Sequence, residues 1–90
     1  MENIIHSVYF LRCADDTIYC GYTNNLAQRV KTHNAGRGAK YTHSRLPVAL
    51  VYFENYEDKS TALKREYQLK KIPRKTKLEM IDNFEGEIEK

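Results

Sequence analysis

The chain has 90 residues, 41% of them hydrophobic, which suffices for one compact domain with a modest core and leaves no room for a second. No apolar run reaches the roughly 18 residues of a membrane span, and Met1 to His6 carry neither the basic nor the long apolar part of a signal peptide, so the expected location is the cytoplasm. Net charge is +3. There the two cysteines, Cys13 and Cys20, are expected as reduced thiols packed in a strand or core; with no second pair nearby they make a poor zinc site.

Ser7 to Arg12 is rich in Val, Tyr, Phe and Leu, and both alternating sets are apolar, which predicts a central strand covered on both faces. Asp15-Asp16 is a turn signal, and Ile18 to Thr23 reads as the return strand of a hairpin. An odd number of loop residues places Tyr9 and Tyr19 on one face; a two-residue loop places them on opposite faces unless a bulge intervenes.

Asn24 or Asn25 is a suitable N-cap for a helix to about Asn34, stopped by Gly36 and Gly38. Leu26, Arg29, Val30 and His33 fall on one stripe of it, while Gln28, Lys31 and Thr32 face away. A short helix must bury Leu26 and Val30 against the sheet, which carries Arg29 and His33 toward the sheet as well. An inward arginine calls for an anion, either a structural carboxylate or a bound ligand.

Ala35 to Arg45 reads as a basic, glycine-containing loop holding Tyr41 and Thr42. Free amides at its glycines, with Arg37, Lys40 and Arg45, suit phosphate contacts, although a plain mobile connection has the same composition. Pro47 to Phe53 is predicted as a third strand. Asp58 caps a helix from Lys59 to about Lys71, whose apolar stripe is read as Ala62, Leu63 and Leu69 with Tyr67 at its edge. Glu66 falls in the middle of that stripe, where amphipathic patterning does not put a carboxylate. It is either the partner of Arg29 or a ligand for a hard cation. Pro73 opens a last helix, Arg74 to Asp82. The expected organisation is one domain over 1–84 and a frayed acidic tail over 85–90.

Charge is segregated along this order. Thr17 to Phe53 contains no acid, and Lys59 to Lys77 contains eight bases against the single acid Glu66. Such segregation suits a polyanion-binding face, and equally a solvated lysine-rich surface. Two tyrosines, an arginine, a histidine and a carboxylate are expected to converge on one sheet face. Phosphodiester hydrolysis needs an activated water, a cation to offset charge on the phosphoryl oxygens and a stabilised leaving oxygen. One glutamate can anchor Mg²⁺, which keeps most of its waters, and a guanidinium can brace a phosphate. Tyr9 or His33 could pass the proton.

These residues resemble the GIY-YIG endonuclease superfamily, most closely its small stand-alone members, from Ser7 to about Ile81. Ser7-Val8-Tyr9 is similar to the first family motif and Tyr19-Cys20-Gly21 to the second; Arg29 and His33 match the catalytic helix, Gly36 to Thr42 the following loop, and Glu66 the metal-binding glutamate. The resemblance implies an α+β fold, a three-stranded antiparallel sheet flanked by helices in the order β-β-α-β-α-α. It implies one-metal cleavage of DNA with Mg²⁺ or Mn²⁺ on Glu66, Tyr9 near the attacking water, Arg29 and Tyr19 on the scissile phosphate, and His33 as base or phosphate contact. Tyr22, Arg37, Lys40, Tyr41, Arg45, Lys70 and Arg74 are the nucleic-acid-binding candidates. Branched or flapped DNA and a role in repair or recombination belong to the same expectation. The alternative is a nucleic-acid-binding module with little activity of its own, acting through a protein partner; a third reading is a scaffold whose Arg29–Glu66 pair is only structural.

Overall fold

The computed structural model describes residues 4–86. Its elements follow the order β1 (His6–Arg12), β2 (Ile18–Thr23), α1 (Leu26–Asn34), α2 (Lys40–His43), β3 (Ala49–Tyr56), α3 (Lys59–Lys71) and α4 (Arg74–Asp82). The strands form one antiparallel sheet in the order β2-β1-β3, so the most apolar strand is the central one. The fold is α+β, as expected. The expected acidic tail begins at Glu85, and its residues 87–90 lie outside the described residues.

Residues 13–17 connect β1 to β2, an odd number, and Leu11 pairs with Tyr19 while Tyr9 pairs with Gly21. Tyr9 and Tyr19 therefore share a face. The hairpin is tied down by its own polar groups: Asp15 accepts from the Thr17 hydroxyl, and Asp16 takes a positive φ of 68°.

The alternating sets of β1 build two cores. Val8 and Phe10, with Cys20, meet Ala62 and Leu69 of α3 and Met80 and Ile81 of α4 on one face. Tyr9, Leu11 and Cys13 meet Leu26 and Val30 of α1 with Val48, Leu50 and Phe53 on the other. Burying both faces of β1 stabilises the sheet by about 1.5–3 kcal/mol per large side chain. The cysteines are free and buried, one on each face.

Helix caps lie where the sequence puts them. The Asn25 side chain accepts from the Gln28 amide, and the Asp58 side chain from the Thr61 amide. Three expectations are corrected. β3 runs over Ala49–Tyr56 rather than Pro47 to Phe53, because Glu54 continues the ladder opposite Val8. Part of the expected loop is the helix α2, with Thr42 fully buried. The apolar stripe of α3 is narrower than predicted: Leu63 and Tyr67 are 40% and 63% exposed, and Arg65 and Glu66 are half-buried in their stead. Among the described residues no helix is long and apolar enough to cross a membrane.

Candidate active site

Tyr9 is fully buried on the central strand, yet its ring reaches across the edge strand. It can do so because its partner, Gly21, has no side chain: a Cβ there would stand 2.5 Å from the Tyr9 hydroxyl. The Tyr19 ring lies beside it, centroids 6.3 Å apart and tilted by 47°.

Helix α1 adds Arg29 and His33, one turn apart on its inward face. His33 is fully buried, with Nε2 3.0 Å from the Tyr9 hydroxyl and Nδ1 2.8 Å from Thr42 Oγ1. The Thr42 hydroxyl donates to the Ala39 carbonyl at 2.9 Å. Gly38 lets the backbone pass over the imidazole, since a Cβ there would fall 2.3 Å from Nδ1.

Electrostatics follow from burial and from one cation. Burial pushes the Tyr9 hydroxyl up to about 12, against the pull of Arg29 beside it. His33 is held below the usual imidazole range, by burial first and then by the Arg29 charge. The Arg29 guanidinium is held more firmly protonated, chiefly by the Tyr9 hydroxyl and further by Tyr19. Its Nε is buried with no hydrogen-bond partner among the described residues. A buried donor left unpaired costs about 1–3 kcal/mol, which an incoming anion would recover.

Glu66 does not share that sheet face. Its helix α3 packs Ala62 and Leu69 on the opposite core, so the expected convergence of all five side chains on one sheet face is corrected: α3 lies across the sheet from α1. The carboxylate is near enough for its charge to help raise both the Tyr9 hydroxyl and the Cys20 thiol, the latter pushed up to about 11 chiefly by burial. Glu66 is not the partner of Arg29: it pairs with Lys70 at 3.3 Å, and its side chain is 19% exposed. Among the described residues no group of three or more His, Cys, Asp or Glu is placed to hold a metal ion. A lone carboxylate suits a hard cation that keeps most of its waters, so this donor set fits Mg²⁺ or Mn²⁺ better than a softer ion in an all-protein cage.

The predicted nucleic-acid contacts divide. Tyr41 stacks on Tyr19 (5.9 Å, 30°), and the Arg45 guanidinium lies 4.1 Å from the Tyr41 ring centre. Arg45 itself is engaged, donating to Asp15 at 2.9 Å and to the Tyr41 carbonyl at 2.7 Å. Lys70 is on Glu66, and Arg74 lies 3.7 Å from Asp16. Tyr22 is half-buried on the α3 face, stacked on His6 with its hydroxyl 2.7 Å from His6 Nδ1. Arg37 lies ahead of α2 and Lys40 opens it, both exposed. The buried contact of Thr42 with His33 is what sequence reading missed, because a threonine in a polar loop carries no periodic signal.

The GIY-YIG catalytic domain model matches residues 5–79. A UPF0213 protein of Staphylococcus haemolyticus is 52% identical over 77 residues, covering 86% of this chain and 94% of that one. Two solution NMR structures are similar. One, a UPF0213 protein of Bacillus halodurans, is 38% identical with a TM-score of 0.57, covering 88% of this chain and 84% of the other. The second, from E. faecalis, is 36% identical with a TM-score of 0.59, covering all of both chains. A small α+β domain with paired tyrosines and an inward arginine thus matches the GIY-YIG catalytic domain over most of its length. This chain belongs to the GIY-YIG family.

Proposed function

We propose that the chain is a divalent-metal-dependent endonuclease that hydrolyses phosphodiester bonds in DNA, selecting its substrate by shape and serving repair or recombination. The observation that carries this reading is the Arg29 guanidinium, which faces two phenols instead of a carboxylate and keeps a buried Nε unpaired. A structural arginine would be neutralised inside the fold. This one is left to meet an anion, and a phosphate presents the oxygens that its planar fork fits.

In this reading Arg29 braces the scissile phosphate and the Tyr19 hydroxyl adds a second donor. Tyr9, a neutral phenol at pH 7, cannot serve as a standing base. Instead it takes a proton from the attacking water as its own passes to His33 Nε2, 3.0 Å away. His33 suits that part because its lowered pKa leaves it uncharged. Glu66 would hold the Mg²⁺ or Mn²⁺, which would supply positive charge to the phosphoryl oxygens and leaving group.

One observation favours the second reading, a binding module that acts through a partner. Arg45, Lys70 and Arg74 each face a carboxylate, so part of the expected cationic surface is neutralised internally, and a partner would supply the missing grip on DNA. The deciding experiment incubates the purified protein with labelled linear, flapped and branched DNA, with Mg²⁺, Mn²⁺ or chelator, beside Glu66→Ala and Tyr9→Phe. Metal-dependent cutting lost in both variants supports the nuclease. Salt-sensitive binding without cutting moves the assignment to the module, and no binding overturns both.

A further inference from the structure

The bond between Tyr9 and His33 can run in either direction, and only one lets the imidazole accept a proton. A neutral imidazole has one N–H and one lone pair, and the partner of one nitrogen settles the state of the other. Nε2 faces the Tyr9 hydroxyl and Nδ1 faces Thr42 Oγ1 at 2.8 Å. Thr42 has a single hydroxyl proton, and it is given to the Ala39 carbonyl at 2.9 Å. In that arrangement Thr42 turns a lone pair toward His33, which calls for the hydrogen on Nδ1. The far end of the chain gives the same answer. The cation beside the Tyr9 hydroxyl is Arg29, which has donors only, so the phenol proton finds its acceptor at Nε2.

We propose that Thr42 is a positioning residue that locks His33 in the Nδ1–H tautomer and so aims a free Nε2 lone pair at the Tyr9 hydroxyl. The proposal deepens the nuclease reading, since it rests on Tyr9 and His33 being the proton-transfer couple. In the opposite tautomer Thr42 would have to release Ala39 and donate to Nδ1; Nε2–H would then point at Tyr9 and could take no proton from it. The α2 turn holds Thr42 in place against the imidazole. Thr42 is fully buried, Tyr41 beside it is stacked on Tyr19, and Gly38 brings the backbone onto the imidazole where any side chain would collide. What the sequence presents as a phosphate-binding loop thus also serves as the backing of His33.

The test is long-range ¹H–¹⁵N NMR of the imidazole nitrogens in the full chain, with His33 signals assigned by their loss in His33→Ala. Wild type should show a protonated Nδ1 and a lone-pair Nε2. Thr42→Val, which keeps the shape and removes the acceptor, should shift His33 toward the other tautomer or a mixture, and Thr42→Ser should restore the wild-type pattern. Cutting should fall about 10- to 100-fold in Thr42→Val, the scale of loss when an outer partner of a functional histidine is removed, and recover in Thr42→Ser. An Nε2–H tautomer in wild type, or an unchanged pattern in a folded Thr42→Val, overturns the proposal. Should Thr42→Val fail to fold, the wild-type and Thr42→Ser spectra decide it. Failure of the wild type to cut any substrate would instead count against the nuclease reading, since the tautomer is read from the nitrogens without substrate.

Discussion

Tyr9 lies across Gly21: the two residues face each other in the β1–β2 ladder, and the space a side chain would take at 21 is filled by the tyrosine. A methyl group there would stand 2.5 Å from the hydroxyl oxygen, 2.7 Å from Cζ and 2.9 Å from the Tyr19 ring, so both rings would have to move. The glycine of the second motif is therefore needed for volume, since its φ lies outside the left-handed region.

Gly21→Ala should fold, with a loss of about 1–3 kcal/mol from overpacking. Its larger effect should be on chemistry. Displacing the phenol breaks its 3.0 Å alignment with His33, and a misplacement of about 1 Å costs on the order of 100-fold in rate. Thermal melting read beside cleavage of a flapped substrate checks this; a variant that melts lower yet cuts at the wild-type rate would show that the Tyr9 position does not matter.

His33 sets the expected pH dependence. Its pKa lies below the usual imidazole value, through burial first and the Arg29 charge second, while Tyr9 and Tyr19 face it from the sheet and Thr42 from α2. The neutral form is the acceptor, so cleavage should be flat around neutrality and decline only below about pH 6.5, the ordinary histidine value. Stability has the same sign. The unfolded chain binds the proton more readily, so the contribution of His33 is lost as pH falls through the unfolded value toward the folded one. Arg29→Gln removes the second cause and should move the His33 titration upward, which an NMR titration of the ring proton reads directly. A downward or absent shift would mean that Arg29 does not reach the imidazole.

Much of this site is legible in the sequence, and the rest is not for identifiable reasons. Arg29 and His33 are carried inward by Leu26 and Val30, their neighbours on the stripe, whereas the shared face of Tyr9 and Tyr19 depends on a loop length that the Asp15-Asp16 turn signal does not fix and the strand pairing does. Glu66 is legible as an inward acid, but not the sheet face it approaches, because periodicity orients a helix without saying which layer it joins. The same limit hides the inner face of α3. Leu63 and Tyr67 look like core by hydrophobicity, yet Arg65 and Glu66 take the inward positions because each finds its own counter-charge. The role of Thr42 rests on one hydrogen bond to a residue nine positions away, which composition does not record.

Arg65 owes its place to Glu54, and the pair gives a stability prediction separate from the chemistry. Glu54 sits in β3 with its side chain 17% exposed, and accepts from Arg65 Nε at 2.8 Å, from a second guanidinium nitrogen at 3.0 Å, and from the Tyr52 and Tyr56 hydroxyls. Burial by itself would raise its carboxyl pKa; the hydrogen bonds from Arg65, Tyr52 and Tyr56 outweigh it and hold the group below the usual range. That stability is present above the ordinary carboxylate range and is lost as pH falls through the lowered value. Arg65→Ala leaves a half-buried carboxylate with two phenols and no cation. Breaking a fully buried pair costs about 3–5 kcal/mol; the Arg65 side chain is 36% exposed, so solvent screening reduces the expected loss to about 1–3 kcal/mol. Glu54→Gln should also destabilise, since Tyr52 and Tyr56 donate to different carboxylate oxygens and the amide keeps only one of them, setting its NH2 against the other phenol. Replacing both partners by Met removes the charge left unpaired, and should recover part of the loss. Urea midpoints of the four proteins decide it: if Arg65→Ala matches wild type, the phenols alone satisfy Glu54 and the ion pair contributes nothing.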